Sequence, residues 1–144
     1  MKYSKTNGGY QLQEDGYQHF FAEGLPNVTH PPFIDTKNGM IRIQRGFFWD
    51  GPSGPAVDTD TFLQPSMIHD AGYTLMGNGL LDPEVWRPHF DARMRRDLRK
   101  NTVRKYSGSW IMRKLGVFRA KYAYRGVRIF GGSHLEPREI LDAP

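Results

Sequence analysis

Four side chains in the middle of this chain have the types and spacing to do chemistry together. His69, Asp70 and Tyr73 lie within one helical turn and a half, and Asp91 follows 22 residues after His69. An imidazole backed by a carboxylate can take a proton from water. A second carboxylate beside a loop rich in backbone oxygens can hold a hard cation such as calcium. That loop precedes them as Asp50-Gly51-Pro52-Ser53-Gly54-Pro55. His69 and Asp91 are therefore candidate catalytic groups, with Asp70 and carbonyls of that loop as candidate metal ligands. Tyr73, Ser53 and Asp97 are candidate supporting groups.

Positioning them requires two helices that meet. The Gly and Pro residues of Gly46–Thr61 forbid regular structure, and Pro65 suits the first turn of a helix running to about Met76. On a 3.6-residue wheel His69, Tyr73 and Met76 share a face with Pro65 and Phe62, while Asp70 stands about 100° away. Gly77-Asn78-Gly79 ends that helix with residues tolerant of positive φ. Asp82-Pro83 and Arg87-Pro88 mark the start of the next, whose secure part runs from 88 to about 102. Phe90, Met94 and Leu98 form its apolar stripe, with Asp91 within ~20° of Leu98 and Asp97 on the opposite edge. A lone histidine on an apolar helix face is more often a satisfied core residue than a catalyst. Here two polar groups on buried faces each need a partner, and antiparallel packing would supply one to the other.

Residues 1–48 read as short strands separated by Gly and Pro turns. Met40–Gln44 behind Asn38-Gly39 carries the clearest hairpin signal. A last long helix is expected over 110–130, capped by Ser107 or Ser109 and stopped by Gly131-Gly132, with a polar tail over 133–144. Gly131-Gly132-Ser133-His134 is better explained as a helix C-cap than as a phosphate or metal site. His19, His30 and His89 have no metal-ligand spacing.

A length of 144 residues suits one domain with a modest core, and with aromatics at 13% these must supply much of its buried area. The absence of cysteine excludes a disulfide scaffold, a Cys-based zinc site and a thiol nucleophile. No apolar run approaches the ~18 residues of a membrane span, and the first residues lack the apolar core of a signal peptide. A soluble cytoplasmic product is expected. The net charge of +5 is unevenly distributed: residues 87–128 hold 14 Lys/Arg against two acids, the remainder 6 against 13. That basic half either meets a polyanion or pairs with the protein's own acidic half. Arg95, Arg96, Arg99 and Lys100 are the candidate polyanion-binding residues.

The segment resembles the active-site core of phospholipase A₂, especially its bacterial and fungal forms. The likeness is carried by Asp50-Gly51-Pro52-Ser53, Pro65, His69-Asp70-Ala71-Gly72-Tyr73 and Asp91-Ala92-Arg93-Met94-Arg95-Arg96-Asp97-Leu98. It covers about 50 residues of 144. The resemblance implies His69 as general base, Asp91 as the carboxylate that orients it, and Asp70 as bidentate calcium ligand. Asp50 and carbonyls near Gly51 would complete the cation shell, and Tyr73 would brace the site. The chain departs from the secreted enzymes in having no cysteines around the His-Asp pair and more proline in the loop. Nearly the whole chain also resembles a family of unassigned activity found in bacteriophage and prophage genomes. That likeness rests on Gly46–Pro55, His69–Tyr73, Asp91, Arg119-Ala120, Tyr122 or Tyr124, and Val127–Gly132. It implies synthesis in a host cytoplasm and association with the virion.

The expected fold is one α+β domain over 1–144. It comprises a small N-terminal antiparallel sheet (1–48), an ordered Gly/Pro loop (49–61), three helices including a phospholipase-like pair (62–132), and a tail (133–144). The expected function is calcium-dependent ester hydrolysis on host membrane lipid, the basic stretch facing anionic headgroups. Two alternatives are a non-catalytic virion component in which the His–Asp pair is a structural staple, and a basic nucleic-acid-binding accessory protein. The last ranks lowest because aromatics interleaved with Lys/Arg are sparse within 87–109.

Overall fold

The computed structural model describes residues 1–51, 60–110 and 114. Seven short strands precede two long helices: β1 (Tyr3–Thr6), β2 (Gly9–Leu12), β3 (Tyr17–Phe20), β4 (Thr29–His30), β5 (Ile34–Lys37), β6 (Met40–Ile43), β7 (Phe48–Trp49), α1 (Asp60–Gly77) and α2 (Pro83–Lys105). Local turn chemistry accounts for the hairpins. Asn38 and Gly39, with φ of 51° and 75°, join β5 to β6 through the left-handed pair that matches strand twist. Asn7-Gly8 closes β1 on β2, where Thr6 faces Gly9.

The N-terminal part is two antiparallel sheets rather than the single one expected. One has the order β1-β2-β7 and the other β3-β6-β5-β4. The cause is a long return: β7 comes back to β2, setting Trp49 opposite Tyr10. Leu12 N–H donates to the Phe47 carbonyl at 3.0 Å and Gly46 N–H to the Leu12 carbonyl at 2.9 Å, extending that seam. The second sheet is thus an excursion between two strands of the first.

Two helices, not three, stand among the described residues. The helix expected over 110–130 lies outside them except for Trp110 and Lys114, as do the tail and most of the Gly/Pro loop. The first helix begins earlier than expected, and the second begins at Pro83, the earlier of the two starts offered by Asp82-Pro83 and Arg87-Pro88. Pro65 is the sixth residue of α1 and Pro88 the sixth of α2, not first-turn residues. Lacking an N–H, Pro65 cannot bond the Thr61 carbonyl four residues back, and Asn101 Nδ2 on α2 donates to that carbonyl at 3.3 Å. The interruption in one helix therefore becomes a tie to the other. The start of α2 is set by Asp82, whose carboxylate accepts from Glu84 N–H at 2.9 Å, with Pro83 at the first helical position.

The turn between the helices is a Schellman motif. Leu80 N–H reaches the Leu75 carbonyl at 2.9 Å, Gly79 N–H reaches that of Met76 at 3.0 Å, and Gly79 takes φ 69°. So short a connection forces α2 back along α1. Where they meet, Gly72 lies so near Phe90 that a Cβ there would overlap the ring. Phe90 also stacks on Phe21 from the end of β3, with centroids 4.0 Å apart, which binds the second sheet to α2. Ile41, Ile43, Leu12, Met67, Ala71, Leu75 and Leu98 are fully buried and make sheets and helices share one core. No helix among the described residues is long and apolar enough to cross a membrane.

Candidate active site

His69 lies on the face of α1 turned to α2 and is 5% exposed; Asp91, on α2, is 0% exposed. Asp91 is thus inside the interface, not at its edge. A carboxylate buried this completely stays ionised only where donors replace water. Two are in place. His69 Nε2 is 3.0 Å from Asp91 Oδ1, and the Tyr73 hydroxyl donates to the same oxygen at 2.9 Å. Burial alone would raise the proton affinity of Asp91. The hydrogen bonds from His69 and Tyr73, with the positive charges of His69 and Arg87, outweigh it and hold the carboxyl below the usual range. Since an ionised Asp91 can only accept, the Nε2 of His69 carries a proton.

The other ring nitrogen faces a second carboxylate. Nδ1 of His69 lies 3.4 Å from Asp70 Oδ1, a longer and weaker contact. Burial disfavours the imidazolium, but hydrogen bonds and charge from Asp70 and Asp91 overcome it, so His69 is more basic than an ordinary histidine. Asp70 is a quarter exposed and stands at the margin of the site, as the wheel places it. Burial pushes its carboxyl up, His69 pulls it down, and the neighbouring Asp50 carboxyl pushes it up again, leaving it at about 7. Its Oδ2 is buried without a hydrogen-bond partner among the described residues.

Asp50 is carried to Asp70 by the β2–β7 pairing, which ends one residue before it. Gly51 has φ 80°, and a Cβ there would come within 2.8 Å of the Tyr10 ring, so the backbone passes where only glycine fits. Two adjoining carboxylates, one with an orphaned oxygen and a like charge beside it, are an electrostatic arrangement that a cation relieves. No group of three His, Asp or Glu side chains is placed to hold one metal ion among the described residues. Carbonyl oxygens would therefore have to complete a calcium shell, and hard cations accept such ligands.

The Tyr73 ring lies tilted by 31° against that of His69, centroids 4.2 Å apart, and braces it from one turn along α1. Burial and the adjacent Asp91 raise the phenol to about 12, so the hydroxyl keeps its proton. Arg87 belongs to this group and was not among the expected residues: its Nε donates to the Tyr73 oxygen at 3.1 Å. Its signal in the sequence is the i, i+4 spacing from Asp91. Asp97 is not brought to the site. It accepts from Arg93 Nε at 2.7 Å and stands 4.0 Å from His19 Nε2, tying α2 to β3. Ser53 lies outside the described residues. Arg95, Arg96, Arg99 and Lys100 are all exposed on the outer side of α2.

Comparison with protein-family models, with characterised proteins and with solved structures gives no match for this chain. Its functional reading stands on the geometry around His69.

Proposed function

We propose that the protein is a phospholipase A₂-like hydrolase of phospholipid esters, dependent on calcium and encoded by a bacteriophage for use at the host membrane. The observation that carries this reading is the doubly flanked imidazole. Asp91 holds Nε2 of His69 from the buried side, and Asp70 stands at Nδ1 on the side nearer solvent. In this arrangement Nδ1 is the nitrogen placed to take a proton from water, while Asp91 stabilises the imidazolium that results. Tyr73 keeps ring and carboxylate in register. A calcium ion held by Asp70, Asp50 and the Gly51 carbonyl would polarise the ester carbonyl and, by its charge, lower the proton affinity of His69. The exposed run of Arg95, Arg96, Arg99 and Lys100 suits the anionic surface on which such a substrate lies. Synthesis in the host cytoplasm and association with the virion belong to the same reading.

The deciding experiment is hydrolysis of phospholipid vesicles with and without calcium. Release of fatty acid that is abolished by chelator and by His69→Gln supports the hydrolase. An inert parent chain with calcium present removes it.

A second reading is favoured by one observation, the near-complete burial of both His69 and Asp91. On it the pair is a structural staple of a virion component and the basic surface serves assembly. An inert parent in which His69→Ala lowers the melting temperature is the outcome that reading requires. Comparing anionic vesicles with short duplex DNA at matched ionic strength separates a lipid-facing surface from a nucleic-acid-binding one.

A further inference from the structure

The donors and acceptors around Tyr73 can be arranged in one way only. A guanidinium Nε–H donates and never accepts, an ionised carboxylate accepts and never donates, and a phenol has one proton and free lone pairs. Arg87 Nε lies 3.1 Å from the Tyr73 oxygen and that oxygen lies 2.9 Å from Asp91 Oδ1. The Tyr73 proton must therefore point at Asp91, since Arg87 occupies the oxygen's other side with a hydrogen of its own. Direction is passed along the chain from Arg87 through Tyr73 to Asp91, and on to the Nε2 of His69 at 3.0 Å.

We propose that Arg87 is a positioning residue for the reaction inferred above: it commits the Tyr73 hydroxyl proton to Asp91 and thereby holds the carboxylate that orients His69. The proposal rests on the hydrolase reading for its consequence in turnover, but not for its geometry. Arg87 is half-buried at the rim of the α1–α2 interface, while Asp91 at its centre is sealed from water. Removing the half-buried Arg87 side chain opens the Tyr73 oxygen to the rim, where water can take its proton in place of Asp91, leaving Asp91 with one donor fewer. Both ends of Tyr73 are accounted for: its ring by His69, at 4.2 Å between centroids, and its oxygen by Arg87 and Asp91.

The test uses the whole chain at one fixed pH and two readouts. The first is the Tyr73 hydroxyl proton in the magnetic resonance spectrum, expected as a resolved signal protected from exchange. It should vanish in Arg87→Met and return in Arg87→Lys, which restores a charged donor. A signal unchanged in Arg87→Met overturns the proposal, because Asp91 then holds the proton unaided. The second is turnover, where Arg87→Met should lower kcat by roughly tenfold with KM unchanged, the low end of what outer hydrogen-bond partners cost a catalytic centre. In a Tyr73→Phe background Arg87→Met should cost nothing further. Equal losses in both backgrounds mean that Arg87 acts by another route and overturn the proposal. If Arg87→Met does not fold, Arg87→Ala, which likewise removes the donor, is compared in the two backgrounds by the same criterion. An inert parent would remove the hydrolase reading, and the proton signal would still decide the role of Arg87.

Discussion

His69 Nε2 and Asp91 Oδ1 lie 3.0 Å apart across the α1–α2 interface, bridging 22 residues of chain at the most buried carboxylate among the described residues. Removing one partner of such a pair leaves the other charged and dry. His69→Ala is therefore expected to cost about 3 kcal/mol in denaturant unfolding. His69→Gln, which can still donate to Asp91, should cost clearly less while lowering any ester hydrolysis by ~100-fold. Equal midpoints for His69→Ala and the parent would sink the dyad as a stabilising element.

Gly72→Ala opposes two effects of different size. Relieving a helix of an interior glycine gains at most about 1 kcal/mol. Overlap with the Phe90 ring is expected to cost about 2 kcal/mol or more, because Phe90 is itself fixed by Phe21. The variant should be destabilised. A melting temperature above the parent's would show that the interface has room to give.

Stability should fall as pH rises above 6.5. His69 is more basic folded than its ordinary 6.5, so its contribution is full below that value and lost as pH climbs through the folded one. Asp70, at about 7 folded against 3.8, binds an extra proton in the native state and adds a fall that ends near neutrality. Below pH 6.5 His19 acts in the opposite sense, since burial and the Arg93 charge make it less basic than usual. The carboxylate of Asp91, held low, loses its contribution only as pH drops below 3.8. Thermal scans of the parent and Asp70→Asn across neutral pH check this. A parent curve that rises as pH climbs above 6.5 would contradict the assignment.

Asn101→Ala is expected to cost about 1 kcal/mol through loss of the bond to the Thr61 carbonyl. In a Pro65→Ala background the loss should shrink, because alanine supplies the N–H that proline lacks. A double-mutant cycle reads the coupling directly, and strict additivity would refute it.

Calorimetry with calcium is expected to show binding to the parent and none to Asp70→Asn. The same heat in both would place any bound cation away from Asp70 and Asp50.

How much of this was legible in the residues follows from what each inference needed. The inward turn of His69 and the marginal place of Asp70 came from helical periodicity alone, which depends only on neighbours along the chain. The β5–β6 hairpin came from Asn38-Gly39 for the same reason. Pro65 and Pro88 misled, since proline usually marks a first turn and here sits on a sixth position. The division into two sheets was not legible, because Tyr10 and Trp49 pair across 39 residues of sequence without a local signal. Arg87 was overlooked because, beside Pro88, it reads as punctuation and not as a partner for Asp91.

The β2–β7 seam also decides what each half of the oxygen cluster depends on. His69 and Asp91 are held by two helices and the short turn between Gly77 and Pro83, so their pairing needs helix packing alone. Asp50 lies one residue beyond the Tyr10–Trp49 strand pair, so its place beside Asp70 needs the first sheet as well. Loosening that strand pair would withdraw one carboxylate from Asp70 and leave the imidazole where it is.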